Sequence, residues 1–404
     1  MKQPSRDELP ELVRLLHRAG TPWLPAGLAS RLDWGPAIRQ PCQVLSVAGL
    51  RRIVEHNPGD FTITVEAGAP LGEVQRVLAA HGQWLAVDPP WGSHPLADPV
   101  GPRGSGSIGG LVARGLAGGY RQRHLGLRDQ LIGVSLLRAD GTAAKAGGRV
   151  VKNVAGYDLM RLLAGSWGSL ALITEVSLRT MPLPPHRAGV LLRGDLDALA
   201  DFSRALRSST LAPERIDWWN ASLAREARLD PAPALLVTLA SVEAHCLEDQ
   251  VTAVAALSGL SAQRLSALEV EALLQAGRGG DLHRPAPAWL LRVGVNPAST
   301  PRLLDAGAAE GLSLELGAGS GLGIAWSEAP LPAERVEGLR ARCQELGGFL
   351  TVLRQPAEGR LIAWRDAPAK ALIEAVKRQF DPKGQLAPGR LPGVAAPAQP
   401  AITR

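Results

Sequence analysis

Cysteine is scarce: the 404-residue chain has three, Cys42, Cys246 and Cys343, far apart in the sequence. Their odd number and wide spacing exclude a disulfide framework and a paired-cysteine metal site, and they favour a reducing compartment. Long apolar runs are missing too, so no membrane span is expected. The first residues include acids and no apolar segment, so no signal peptide is expected either. Aromatic residues make up 4% of the chain and do not interleave with basic runs. The net charge of +6, with signs mixed along the chain, is therefore a hint of anionic ligands and a poor argument for nucleic acid. Glycine (45) and proline (32) are plentiful, which favours many turns. At 46% hydrophobic and 20% charged, the chain fits a globular protein with two or three cores.

The stretch from Gly147 to Leu178 organises the reading. Tyr157 and Asp158 can open a helix with Leu159, Leu162 and Leu163 on its apolar face. Gly165 and Ser166 close it, because glycine past the last turn takes the left-handed conformation easily. Gly168 supplies a second turn, and residues 170–174, including Ile173, form a short apolar run suited to a buried strand. A turn with so little side chain lets a large flat ligand lie on backbone. The same spacing suits ordinary helix–turn–strand packing, and spacing alone leaves both readings open.

The wording of the stretch, KNVAGYDLxRLxxGSxGxLxxITEVSL, closely resembles the last flavin-contacting segment of the FAD-binding (PCMH-type) domain of the vanillyl-alcohol-oxidase superfamily. Within it the chain looks most like the E subunits of bacterial glycolate oxidases (glycolate dehydrogenases). The resemblance implies an α+β fold. A two-lobed FAD-binding domain over residues 1–184 (lobes about 1–58 and 59–184) would precede an α+β cap domain over 187–379 with a mainly antiparallel sheet. Residues 380–392, FDPKGxxAPGRL, resemble the family's terminal segment that returns to the flavin, with Ala387 in place of asparagine; 393–404 read as a disordered Ala/Pro-rich tail.

In the superfamily a pyrophosphate loop of the type PRGGGTKLDWG follows the first strand. Here Pro25, Gly27, Leu32, Asp33, Trp34 and Gly35 match, with Ser30 for threonine, but Ala26 replaces the arginine, and Leu28 and Ala29 replace two glycines. Such a loop cradles phosphate oxygens on successive amides, and glycine permits the positive φ it needs. A leucine at positive φ is unfavourable, so the loop is expected to be reshaped or to have lost part of its grip. Residues 7–18 read as an amphipathic helix stopped by Gly20, residues 43–47 as a strand, and residues 49–55 as a turn and helix piece.

Further on, residues 61–65 alternate as a strand, and Pro70 can begin a helix with Leu71, Val74 and Leu78 buried. The run 101–110 is glycine-rich. Ser107 reads as an N-cap, and Ile108, Gly109 and Gly110 as the start of a helix whose free amides and dipole favour an anion. The resemblance makes this the second diphosphate contact. It also implies flavin contacts for Arg121, Arg128 and Asp129, although a solvated basic loop fits them as well. Lys152 and Asn153 can order the loop before the helix. Neither expected linking position offers histidine or cysteine, so FAD is expected to be non-covalent.

The cap half has strand signals at residues 190–192, 216–220, 234–239, 288–295, 321–326 and 349–354, and helix signals at 196–208, 243–257 and 367–380. An open sheet with helices on one side is expected. Oxidising a 2-hydroxy acid needs a hydride acceptor, a base and a cation for the carboxylate. His186, His245 and His283 are widely separated and make no metal pair, so no metal site and no evident catalytic residue are expected. Arg292 and Arg354 are candidate carboxylate anchors and Trp326 and Trp364 candidate ring-packing residues, each equally at home as a half-buried sheet residue. The resemblance implies an FAD-binding oxidoreductase subunit of a glycolate or 2-hydroxy-acid dehydrogenase complex. Its partners would be flavoprotein and iron–sulfur subunits, and its place cytoplasmic, or peripheral to the inner membrane through those partners. The alternative is a non-catalytic scaffold or assembly subunit with weakened or lost FAD binding.

Overall fold

The computed structural model describes residues 1–90, 106–116, 118–149, 157–278, 286–305 and 307–396. Residues 101–105, Lys152, Asn153, His283 and the tail from residue 397 lie outside the described residues.

The chain opens with α1 (Glu8–Ala19), which buries Leu9, Val13 and Leu16 and stops at Gly20 in the left-handed conformation. β1 (Trp23–Ala26) and β2 (Gln43–Ser46) pair in parallel. Residues 49–55 are not a turn and helix piece. The β-branched pair Ile53-Val54 begins β3 (Ile53–Asn57), which lies antiparallel to β4 (Thr62–Glu66) with Ile53 opposite Val65. Pro70 caps α2 (Leu71–Ala79) from outside, one residue earlier than its expected place. Then follow β5 (Gln83–Trp84), α3 (Ile108–Arg114), α4 (Arg121–His124), α5 (Leu127–Gln130), β6 (Leu131–Leu137), β7 (Ala143–Gly147), β8 (Leu172–Arg179) and β9 (Met181–Pro182).

β3, β4, β8, β6 and β7 form one antiparallel sheet in that order. β8 is its centre. It begins at Leu172, two residues later than its apolar run suggests, and continues to Arg179 because β4 and β6 pair with it on both sides. The expected helix after Asp158 is a single 3-10 turn, Leu159–Leu162. Met160 and Leu163 are buried, whereas Leu159 and Leu162 are exposed. One turn fixes several residues for little hydrogen bonding, and Gly165 ends the segment before an α-helix can propagate.

The second half builds a larger sheet from β10 (His186–Arg193), α6 (Leu196–Arg207), β11 (Arg215–Trp219), α7 (Ala221–Glu226), β12 (Ala234–Ser241), α8 (Ala244–Ser258), β13 (Ala262–Leu265), α9 (Ala267–Arg278), β14 (Trp289–Gly294), α10 (Thr300–Leu304), β15 (Ser313–Gly317), β16 (Leu322–Ser327), α11 (Ala333–Glu345), β17 (Phe349–Arg354) and α12 (Lys370–Phe380). Its order is β13-β10-β12-β11-β15-β16-β14-β17, with antiparallel neighbours. Both faces are covered, not one. Val190, Ile216, Trp218, Leu235 and Val293 pack under Phe202, Leu206, Val251 and Leu339 of the helices. The alternate residues Leu191, Trp219, Leu236, Leu290 and Ile324 pack against Leu223 and Val270, and against Trp34, Leu116 and Trp167 from the first half. Period-two alternation thus gives each strand one face for its own helices and one that includes the junction.

The junction also holds a buried charge cluster. Arg215, 1% exposed, donates to Asp88 (Nη1, 2.7 Å), Asp217 (Nε, 2.6 Å) and Glu315 (Nη2, 2.8 Å). Burial alone would lower its pKa, but the three carboxylates hold it well above the ordinary arginine value. A Cβ at Gly118 or Gly119 would overlap the Asp88 carboxylate or the Arg215 guanidinium, so these positions take glycine for close approach. Replacing Arg215 by Met would strand three carboxylates. Arg215→Met is expected to lower unfolding free energy by about 3–5 kcal/mol in urea titrations; a loss below about 1 kcal/mol would show the cluster to be dispensable.

Candidate functional site

The main cleft lies between the first loop and the sheet of the first half. One wall is residues 24–32 with Trp34; another is Gly106, Ser107 and residues 109–111 of α3; the floor is Gly168 and residues 171–173 at the start of β8. Pro89, Pro90, Arg114, Leu116, Trp167 and Arg390 complete it. Close approach shapes the walls. A Cβ on Gly27 would overlap the Ser107 hydroxyl, and one on Gly168 (φ +70°) would overlap Pro25.

The two walls differ in the amides they offer. Ser107 caps α3 as expected, its Oγ accepting from Gly110 N–H at 3.3 Å. The amides of Ile108 and Gly109 donate to Ala69 O (2.9 Å) and Ala67 O (2.8 Å). The helix start is therefore closed upon its own neighbours, and Gly109 is a packing position: a Cβ there would press on Ala67. This corrects the expectation of free N–H groups at residues 108–110. The first loop is the open one. The amides of Gly27, Leu28, Ala29 and Ser30 have no acceptor among the described residues. The residue that takes positive φ here is Ala29, at +59°, not Leu28. A left-handed residue among successive amides is the geometry of an anion nest, and the strain of an alanine there is of order 1–2 kcal/mol.

Arginines hold this loop from behind. Arg390 donates from Nε to Pro36 O (3.1 Å) and from Nη2 to Leu32 O (2.6 Å). Arg114 donates to Arg31 O and, at 3.5 Å, to Trp34 O, with its guanidinium 4.1 Å from the Trp167 ring centroid. The Gly35 amide donates to Leu353 O at 2.6 Å. Burial first, then Arg390 and Arg31, pull Arg114 down to about 9, against the opposing pull of Asp33. Among the described residues the cleft lining includes Arg31, Arg114 and Arg390 and no acid, a set that favours anions.

Of the residues singled out from sequence, Pro25, Ala26, Gly27, Leu28, Ala29, Ser30, Ser107, Gly109, Gly110, Gly168 and Ile173 line the cleft. Ile108 faces the core instead. Gly165 and Ser166 form the turn behind it, with Gly165 N–H donating to Val112 O (3.0 Å) and Ser166 Oγ to Leu163 O (2.9 Å). Arg128 is exposed, and Asp129 accepts from Gly126 N–H at 3.1 Å. Arg121 and Arg292 meet at a smaller cavity beside the cleft. Arg354 is paired with Asp33 at 2.8 Å, which removes it as a free anchor. Trp326 is fully buried and donates to Glu226 (3.2 Å), so it packs the sheet, not a ligand. Trp364 stacks edge-on against Trp167 and donates to Leu391 O (3.1 Å) and Val394 O (2.9 Å). Sequence reading missed Arg31, Arg114, Trp167 and Arg390 as cleft residues; Arg31 and Trp167 stand within segments already singled out.

Comparison with known proteins agrees with the resemblance read from the residues. The FAD binding domain family matches residues 4–147. The chain is similar to glycolate oxidase subunit GlcE of Escherichia coli, 37% identical over 155 residues, which is 38% of this chain and 41% of that protein. It is similar to a mitochondrial D-lactate dehydrogenase [cytochrome] of Arabidopsis thaliana, 25% identical over 251 residues, 60% of this chain and 42% of that one. A FAD-linked oxidoreductase of Mycobacterium tuberculosis, itself uncharacterised, is 25% identical over 427 residues, 96% of this chain and 89% of that one. The chain thus spans about two-fifths of the length of the first two relatives. In fold it matches an alkyldihydroxyacetonephosphate synthase with TM-score 0.66 and 16% identity, over 95% of this chain and 74% of that one. The fold is α+β, and its first part matches the FAD binding domain family.

If Ala29 carries strain, glycine should relieve it. Ala29→Gly is expected to raise unfolding free energy by up to about 1 kcal/mol, the left-handed penalty less the entropy glycine loses; destabilisation in denaturant titrations would mean that the methyl group packs usefully.

Proposed function

We propose that the cleft binds FAD non-covalently and that the chain is a flavin-bearing subunit of a dehydrogenase for a small 2-hydroxy acid, working with partner subunits. The observation that carries the reading is the row of amides from Gly27 to Ser30 without acceptors among the described residues, in a segment lining a cleft whose described lining holds three arginines and no acid. These amides hold a diphosphate, Gly27 and Gly168 let the walls approach, and the arginine side chains set the field. Trp167 and Leu116 shield the far side from water. FAD, when bound, supplies the hydride acceptor for oxidation of a hydroxyl-bearing carbon.

The relatives' printed names, glycolate oxidase subunit and D-lactate dehydrogenase, support the substrate class. The division of labour rests on what the cleft offers. Among the described residues its lining includes no histidine, aspartate or glutamate, which supports a division of labour with partners. His186 and His245 are exposed elsewhere. Partner flavoprotein and iron–sulfur subunits would complete the chemistry. No helix among the described residues is long and apolar enough to cross a membrane, and a cytoplasmic site or one peripheral to the inner membrane fits this reading. One observation favours a second reading, a scaffold with weakened FAD binding: the strained Ala29 stands where relatives of this type use glycine.

The test is dye-linked oxidation of glycolate and D-lactate by the isolated chain, with its flavin content read from visible absorbance. The expected result is bound flavin, fully released on acid denaturation, with turnover at least about 100-fold below that of a partner-containing preparation, the typical contribution of a positioned base. Absence of flavin would favour the scaffold; fast turnover alone would restore a stand-alone enzyme.

A further inference from the structure

The loop that begins at Gly27 has a second end, and that end belongs to both halves of the chain. β17 is the last strand of the eight-stranded sheet, paired on one side with β14. Its register slips once: Val352 stands opposite Leu291 and Arg354 opposite Leu290, which leaves Leu353 as an extra residue between them. A bulge of this kind takes the extra residue out of the ladder and re-aims its backbone. The Leu353 carbonyl accepts from Gly35 N–H at 2.6 Å, and the neighbouring Val352 N–H donates to Ala363 O at 2.7 Å. One residue along, Arg354 Nη1 donates to Asp33 Oδ2 at 2.8 Å.

The first half closes on the same point. Gly35 takes φ +78°, and a Cβ there would overlap the Trp167 ring, so the residue is pinned between Trp167 and the bulge. Trp34 is buried in one apolar cluster with Trp167 of the first half and Leu353 and Trp364 of the second. Only Arg31 and Leu32 lie between Asp33 and Ser30, the last of the amides without an acceptor among the described residues. An exposed ion pair contributes little by itself, and the Asp33 and Arg354 side chains are 55% and 35% exposed. What the pair adds is register. It stands beside a short backbone bond whose two residues come from different halves. Neither Asp33 nor Arg354 lines the cleft, so any effect of theirs on its occupant passes through the loop.

We infer that Asp33 and Arg354 are positioning residues for the cofactor loop. With the Gly35–Leu353 backbone bond they bolt the loop to the edge of the second half's sheet, so that the amides of residues 27–30 hold a diphosphate tightly only while β17 is seated. Coupling of this kind is reciprocal. Displacing β17 loosens the amides, and a diphosphate bound at the amides holds β17 in place. The inference deepens the proposed function and rests on its reading of the cleft.

The test is charge reversal in the full chain, read by the dissociation constants of FAD and riboflavin and, separately, by hydrogen exchange of the Gly35 amide without flavin. Arg354→Glu sets two acids against each other and Asp33→Lys two bases, and like charges in contact repel. Each is expected to weaken FAD binding about fivefold or more, with riboflavin binding changed less than about twofold. Each is also expected to speed Gly35 exchange about tenfold, as local opening does. The double variant Asp33→Lys/Arg354→Glu, which restores an opposite pair, should recover most of both effects. A simple change of field makes another prediction: Asp33 lies near Arg114 and Arg390, so Asp33→Lys would then tighten FAD. Arg264→Glu, the same charge change at the exposed pair with Glu248, should leave every reading unaltered. Tighter FAD binding by Asp33→Lys, equal losses of FAD and riboflavin, or no recovery in the double variant would overturn the inference, and so would unchanged Gly35 exchange in both single variants. Equal affinity of the unaltered chain for FAD and riboflavin would refute the cofactor reading; Gly35 exchange that still follows the sign of the pair would then leave the bolt supported.

Discussion

In the loop from Gly27 to Gly35, side chains hold carbonyls of its later part while the amides of Gly27–Ser30 have no acceptor among the described residues, and the site depends on that division. Arg390 reaches back from the end of the chain to Leu32 O and Pro36 O, and Arg114 reaches from α3 to Arg31 O and Trp34 O. Residues 27–30, whose amides have no acceptor among the described residues, line the cleft next to this fastened part. The return of the C-terminal segment is part of the same mechanism. Trp23 and Leu386 form a bridge beside β1, and Lys377 donates to Ser169 O (2.7 Å), Leu386 O (2.8 Å) and Asp381 (2.6 Å). Residues far apart in sequence thereby set the shape of a loop that has too few glycines to set its own.

The second constraint is electrostatic and joins the halves. Asp88 comes from the first half, and Arg215, Asp217 and Glu315 from the second. Nearby, Arg187 over Trp84, with Glu214 between Arg187 and His124, repeats the arrangement. Burial works against the Glu214 charge, yet His124 and Arg187 keep its pKa below the usual glutamate value. That contribution is present above the unfolded value near 4.5 and is lost as pH falls through the lower folded value.

Local signals in the sequence were sufficient where structure is local. The apolar face of α1, the Ser107 cap and the left-handed glycines at 20 and 165 all appear where the residues place them. The loop at 27–30 lines the cleft, but its backbone differs from the reading. Glycine count stood in for positive φ, so Leu28 and Ala29 read as damage, while the glycines at 109 and 110 read as open. In the structure Ala29 accepts the strain, and Gly109 serves packing on Ala67. β15 and α11 went unread, because α11 is a strongly polar helix with few apolar positions and β15 is recognisable chiefly by its partners β11 and β16. The partners of Arg390 and two of the three partners of Arg215 lie a hundred residues or more away, so no local signal names those contacts, although the segment 380–392 was expected to return.

The central claim is that the amides of Gly27–Ser30 hold the diphosphate. It is tested most directly by comparing the dissociation constants of FAD and riboflavin, which lacks the phosphates, for the chain and for Ala29→Val, whose branched side chain resists positive φ. The account predicts that FAD binds far more tightly than riboflavin to the unaltered chain and that most of this difference disappears in the variant. Equal affinity for the two flavins, or an FAD preference that survives Ala29→Val intact, would contradict it.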